Sequence, residues 1–285
     1  MPDRRPIFVV GSGRCGTTLL GVILDSHPHI AITPETHFLP SVVGQLLRVR
    51  GAQEMVEVLY SFPKVAESGI GKNELLQAFK ARRLRTPSSL LECFYSTYAA
   101  QRGKIRWGDN TPVYASCMNL IEDMFGGAAF LHVIRDGRDV AVSVLPLAWG
   151  PTTVAEAAHW WKTKVLEARH AGARLRHYFE VRYEDLLREP QQTLRRVCDF
   201  LEEPFVPSML EYANAGQARL NQISFDIGRR SVEDRRQAHK NIAAGIDPSR
   251  IGRWQTVFSK EERREFLAIA GDLLQSLRYD ESPQQ

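Results

Sequence analysis

A glycine-bounded loop carries the first chemical signal in this chain. In Phe8-Val-Val-Gly-Ser-Gly-Arg-Cys-Gly-Thr-Thr-Leu-Leu20, an apolar strand runs into a loop and then into the first turn of a helix. Gly11 and Gly16 stand at the GxxxxG spacing of a Walker A loop, but Thr17 occupies the place of its phosphate-gripping lysine. Backbone N–H groups in such a loop, helped by the positive end of the helix dipole, hold an anionic oxygen group. Arg14, inside the loop, is the cation placed to replace the lysine. The combination points to a nucleotide whose terminal group differs from that of ATP; alone, the loop also reads as a plain glycine turn. A second signal follows the apolar run 129–134. Arg135 ends that run, and Ser143 lies on the segment beyond Asp136-Gly-Arg-Asp139. A guanidinium at a strand end and a hydroxyl on the next helix can grip a second phosphate through charge-assisted hydrogen bonds. The competing reading pairs Arg135 with Asp136 as a helix cap.

These residues need a frame, and the apolar pattern supplies one. Residues 129–134 are nearly continuously apolar, as in a strand covered on both faces. Leu19, Leu20, Ile23 and Leu24 share one face of a helix over 17–26. Ile30-Ala-Ile32 reads as a short extended piece, 107–112 as a turn, 113–125 as a helix and 178–183 as a strand. Thr153 with Glu156, and Ser259 with Glu262, form capping boxes that open two further helices. Pro190 suits the first position of a helix carrying Leu194, Val197 and Leu201. Strands alternating with helices predict an α/β fold, a P-loop-like parallel sheet flanked by helices on both faces. Ligands of such folds bind beyond the carboxyl ends of the strands. The 285 residues suit a single domain. Within it, 38–105 is expected to be a helical cap inserted over the sheet edge. The polar stretch 213–248, with Arg229, Arg230, Arg235, Arg236, His239 and Lys240, is expected to be a mobile basic loop, or else an ordinary solvated surface.

Composition narrows the classes. Hydrophobic residues at 44% and charged residues at 25% are ordinary globular usage, which argues against general disorder. A formal charge of +4 suits an anionic ligand and is too weak to argue for nucleic acid. The four cysteines (Cys15, Cys93, Cys117 and Cys198) show no CxxC spacing, so neither a disulfide framework nor a metal site is signalled. No uninterrupted apolar run reaches the ~18 residues of a membrane span. The expectation is a soluble, cytoplasmic protein without membrane insertion.

Four segments, taken in order, resemble the sulfotransferases that use 3′-phosphoadenosine 5′-phosphosulfate (PAPS). Val10-Gly-Ser-Gly-Arg-Cys-Gly-Thr-Thr-Leu19 is similar to their 5′-phosphosulfate loop, and Val133-Ile-Arg-Asp-Gly-Arg-Asp-Val-Ala-Val-Ser143 to their 3′-phosphate motif. Val181-Arg-Tyr-Glu-Asp-Leu186 and Gly252-Arg-Trp-Gln-Thr-Val-Phe-Ser259 follow in family order. The resemblance covers roughly 6–40, 106–145, 178–212 and 246–278, and neither the expected cap nor the basic loop. It implies that Gly13, Arg14, Cys15, Gly16, Thr17 and Thr18 hold the 5′-phosphosulfate. It further implies that Arg135 and Ser143 hold the 3′-phosphate, that Tyr183 lies against the adenine, and that Arg253 or Ser249-Arg250 adds to the 3′ grip. Tyr183 also reads as a core tyrosine, Arg250 and Arg253 as surface residues, and Arg138 as either a ligand contact or half of an ion pair. Trp160 and Trp161 read as core packing.

The segment Leu24-Asp-Ser-His-Pro-His-Ile-Ala-Ile-Thr-Pro-Glu-Thr-His37 resembles the tyrosylprotein and carbohydrate sulfotransferases, whose glutamate before that threonine is the catalytic base. The resemblance therefore implies that Glu35 is the general base, with Arg14 stabilising the leaving phosphate and His37 a reserve base. Without it, Glu35 reads as a first-turn residue favouring the helix dipole. Asn110 departs from the pattern, because relatives often carry a lysine there that supports the leaving group. Either Arg14 carries more of that burden, or Lys240 or a basic-loop arginine reaches in, or turnover is weaker. No metal is implied, since a sulfuryl group carries less charge than a γ-phosphate. The expected acceptor is a hydroxyl on a small molecule, a carbohydrate or a peptide tyrosine. Two rival readings are a P-loop-type small-molecule kinase, which Thr17 opposes, and a non-catalytic adenosine bisphosphate-binding protein.

Overall fold

The computed structural model describes residues 5–83, 85–226, 231–243 and 245–279. Five strands, β1 (Ile7–Gly11), β2 (Ile30–Thr33), β3 (Arg106–Asp109), β4 (Ala129–Ile134) and β5 (Tyr178–Arg182), form one sheet in the order β2-β3-β1-β4-β5. Every pairing is parallel, with Val10 opposite His132, Thr33 opposite Asp109 and Ile134 opposite Arg182. The interior strands β1, β3 and β4 are buried throughout, as both-face covering requires. The α/β architecture expected from the sequence is the one observed.

Side chains alternate between two cores, following the period of two along a strand. Ile7, Val9, Leu131 and Val133 face one way, with Leu20, Trp161 and the last helix, Lys260–Ser276. Phe8, Val10 and Phe130 face the other, where the inserted helices cover them. The 38–105 insertion is helical, and it packs on a sheet face instead of perching over an edge. Its helix Pro87–Ala100 brings Tyr95 into a stack on Trp107, with ring centroids 4.5 Å apart. Aromatic area of that size anchors the insert.

Two further expectations change. Residues 107–112 do not form a turn, because 106–109 is strand β3, wedged between β1 and β2. The slot tolerates only glycine at 108, where a Cβ would meet the Ile7 carbonyl oxygen and Ile32 Cδ1 at 2.6 Å. Tertiary pairing thus overrides the turn preference of Gly and Asp. The 213–248 stretch, read as the least structured part, contains the helices Ala213–Gln222 and Val232–His239. Arg229 and Arg230, and the side chain of Lys240, lie outside the described residues. Among the described residues, no helix is long and apolar enough to cross a membrane.

Candidate active site

Each strand delivers one candidate residue just past its carboxyl end. Gly11 leads into the glycine loop, Thr33 to Glu35, Asp109 to Asn110, Ile134 to Arg135 and Arg182 to Tyr183. Because all five strands run parallel, these ends meet at one rim, where open α/β sheets bind ligands. The rim encloses a cavity of about 430 Å³ onto which Arg14, Thr17, Glu35, Arg135, Ser143 and Tyr183 all open. Gly13, Gly16 and Thr18 join them, and Arg253 lies exposed at the edge. Cys15 is the exception. Its side chain is fully buried in the core, where desolvation raises the thiol pKa, so only its backbone can serve a ligand.

The glycine loop owes its shape to left-handed backbone at Gly13, Arg14 and Gly16. Gly16, at φ 103°, precedes helix Thr17–Asp25 and offers no side-chain cap, so the first helical N–H donors stay available to a ligand. A Cβ on Gly16 would stand 2.3 Å from the Tyr183 ring. Tyr183 is therefore clamped, with Gly16 on one side and the Arg135 guanidinium 4.6 Å from its centroid. Only 5% of it is exposed.

Arg135 and Arg14 meet. Arg135 Nη1 donates to the Arg14 carbonyl at 3.3 Å, and its Nη2 donates to the Arg250 carbonyl at 2.8 Å. Arg14 Nε in turn donates to Ser143 Oγ at 3.1 Å, joining residues that the sequence assigned to opposite ends of one nucleotide. Arg135 is aligned by Asp139, 3.6 Å away, and by Trp161 Nε1, which donates to its carbonyl. Asp139 also accepts from the N–H groups of Gly252 and Trp254, tying the downstream motif to this corner. Arg138 is buried in an ion pair with Asp136 at 2.8 Å, which resolves its two readings toward structure. Trp161 is fully buried, whereas Trp160 lies beside Gly13 in the cavity wall.

Glu35 is placed by a buried polar network that the sequence reading missed. The next residue, Thr36, donates from its hydroxyl to Asp109 Oδ2 at 2.7 Å and from its N–H to Thr111 Oγ1 at 2.9 Å. Thr33 and Tyr95 donate to the same Asp109 oxygen, and the Tyr114 hydroxyl lies 2.6 Å from Thr36 Oγ1. The Asp109 in Trp107-Gly-Asp-Asn was legible as a buried acid only once 106–109 was known to be a strand. On the cavity side, Glu35 Oε2 accepts from His37 Nε2 at 2.7 Å and from Lys64 Nζ at 3.4 Å. Burial alone would raise the Glu35 pKa. The Lys64 charge, with His37 and His239, outweighs it and holds the carboxyl well below the usual range. Asn110 is buried against Gly21, and its Oδ1 has no partner among the described residues.

His27, His29 and Glu203 gather three potential metal-ligand atoms within 4.8 Å, next to the start of β2 and so away from the carboxyl-end rim. Both His27 nitrogens are engaged, Nδ1 accepting from the His29 N–H and Nε2 donating to the Pro204 carbonyl.

Comparison with known proteins identifies the family. A model of the sulfotransferase family matches residues 6–207. An uncharacterized protein of Aquifex aeolicus is 27% identical over 267 residues, covering 86% of this chain and 32% of its own length. Nodulation protein NoeE of Sinorhizobium fredii is 26% identical, covering 97% of this chain and 66% of its own. The chain thus spans a third and just under two thirds of these two relatives. The sulfotransferase domain of the Synechococcus olefin synthase superposes with a TM-score of 0.63 at 22% identity, over 99% of this chain and 98% of that one. Mouse sulfotransferase SULT7A1, solved with PAP, has a TM-score of 0.50 at 13% identity, over 97% and 86%. The chain belongs to the sulfotransferase family, a class of enzymes.

Proposed function

We propose that this chain transfers a sulfuryl group from PAPS to a hydroxyl acceptor, with Glu35 as general base. One observation carries the reading: two arginine-bearing loops and the Glu35 carboxyl open on the same cavity. The mouse relative's complex with PAP supports the choice of donor.

On this reading, the loop amides from Gly13 to Thr18 and the Arg14 side chain surround the 5′-phosphosulfate. Arg135, Ser143 and the exposed Arg253 receive the 3′-phosphate. Arg14 then leaves Ser143 for the phosphosulfate, freeing that hydroxyl. The clamped Tyr183 presents little open face, so it borders the adenine and does not stack broadly on it. The acceptor oxygen attacks sulfur, the bond from sulfur to the bridging oxygen breaks, and the departing 5′-phosphate keeps the electron pair. Transfer of this kind depends on positioning and charge stabilisation more than on covalent help from the protein. Among the described residues, the contacts to Glu35 fall on Oε2, so Oε1 is the oxygen that takes the acceptor proton. A depressed pKa limits the driving force for that transfer but keeps the base ionised at every physiological pH.

Acceptor choice belongs to the insert and to the helices Ala213–Gln222 and Val232–His239, which line the same cavity with Lys64, Glu67, Arg219, Gln222, Arg235 and His239. Small molecules, carbohydrates and peptide tyrosines remain the acceptor classes. The test is incubation with PAPS and a panel drawn from these classes, read by mass spectrometry for a gained sulfuryl group. Sulfated product is expected, with Glu35→Gln slowing its formation by ~10²-fold or more. Tight binding of adenosine 3′,5′-bisphosphate with no product from any class would instead establish a non-catalytic binding protein.

A further inference from the structure

Asn110, just past β3, lines the cavity as a buried, neutral side chain. The described cations around the cavity are mostly committed elsewhere. Arg235 is paired with buried Glu67 and donates to the Phe225 carbonyl. Arg219 donates to the Ile32 carbonyl and lies 3.6 Å from Asp25. Arg250 pairs with Asp247 at 3.3 Å. Lys64 is the one lysine among the described residues lining this cavity, and its Nζ lies 3.4 Å from Glu35 Oε2.

Lys64 comes from the insert, on the short 3₁₀ turn Pro63–Ser68. Side chains three apart on such a turn eclipse one another, so Lys64 and Glu67 share a face. Both open on the cavity: Lys64 reaches down to Glu35, and Glu67 reaches across to Arg235 of the helix Val232–His239. The buried Glu67–Arg235 pair fixes the turn from which Lys64 extends. Lys64 and Glu35 are 20% and 21% exposed, shielded enough for their attraction to persist in salt.

We infer that Lys64 is a positioning residue for the reaction. Resting on the assignment of Glu35 as base, it pins Oε2 so that Oε1 faces the acceptor, and it supplies from the insert a positive charge that Asn110 does not. His37 and His239 face the same carboxylate, His37 Nε2 at 2.7 Å from the same Oε2 that Lys64 approaches. The insert that selects the acceptor would thereby also set the geometry of the base.

The experiment uses the full chain as Lys64→Met, Lys64→Arg, Glu35→Gln and Lys64→Met/Glu35→Gln. Carbon-13 NMR titration of the Glu35 carboxyl needs no acceptor. Its pKa is expected to rise by about one unit or more in Lys64→Met and to stay low in Lys64→Arg. Transfer from PAPS to water, read as release of adenosine 3′,5′-bisphosphate, is expected to slow about tenfold in Lys64→Met with the half-saturating PAPS concentration unchanged, the lost positioning of Glu35 outweighing its stronger basicity. Lys64→Arg restores the rate, and the double variant is no slower than Glu35→Gln alone. An unmoved carboxyl titration overturns the proposal, as does equal slowing by Lys64→Met with and without Glu35. If Glu35→Gln does not slow turnover, the base assignment falls and the catalytic purpose of Lys64 with it. The titration then still decides the contact itself.

Discussion

Replacing Gly16 with alanine strikes the point where loop shape and nucleotide site meet. At φ 103°, a residue with a Cβ pays a backbone strain of roughly 1–2 kcal/mol. The new methyl would also lie 2.3 Å and 2.7 Å from two Tyr183 ring carbons, a distance no packed pair sustains. The ring cannot simply retreat, because the Arg135 guanidinium lies 4.6 Å from its centroid, held by the Arg14 and Arg250 carbonyls. Overpacking of this kind adds about 1–3 kcal/mol. The sum, about 2–5 kcal/mol, is a large share of the ~5–15 kcal/mol that keeps a domain folded. Urea unfolding followed by circular dichroism should show that loss. Calorimetric titration with adenosine 3′,5′-bisphosphate should show binding weakened by at least about tenfold, since one shift disturbs both anion loops. Adding Tyr183→Ala to Gly16→Ala removes the clash and leaves the strain, so each alanine should be less damaging in the other's presence. Gly16→Ala with wild-type stability and affinity would refute the idea that the left-handed glycine and the clamped tyrosine shape this site.

Arg135→Ala should weaken adenosine 3′,5′-bisphosphate by about 10- to 100-fold and adenosine 5′-phosphosulfate, which lacks the 3′ group, by clearly less; equal losses for both would misplace the 3′-phosphate. Asp109→Asn leaves one oxygen and an amide where one carboxylate oxygen accepts from Thr33, Thr36 and Tyr95. A stability loss of about 1–3 kcal/mol is expected, with a fall in turnover as the Glu35 segment loosens and unchanged nucleotide affinity in calorimetry. His132 is fully buried, and burial lowers its pKa to about 3 from 6.5. Between those values the unfolded chain binds the extra proton, so stability rises with pH across the window, by up to about 1.4 kcal/mol per unit. His132→Gln should flatten that slope in urea titrations run from pH 4 to pH 7 relative to the wild type, and parallel slopes would count against it.

The sequence by itself determined the class of fold and the two arginine-bearing loops at the rim. Apolar runs of strand length alternating with capped helices have few packings other than a parallel sheet. Glycines at fixed spacing followed by a helix start report a backbone shape directly, and that shape carries the chemistry. Glu35, by contrast, was legible only through resemblance, because a carboxylate after a proline looks locally like any first-turn residue. Tertiary structure decided the rest. It turned 106–109 from a turn into a central strand, since a buried slot between β1 and β2 outweighs the local preference of Gly108 and Asp109. It sent the Cys15 side chain into the core and clamped Tyr183 against Gly16. It also brought Lys64 to Glu35, with 28 residues between them in the chain, through a helical insert far from the glycine loop in sequence. Local pattern fixes which way a strand points and where it ends; which charges then face each other across the rim depends on packing between segments far apart in sequence.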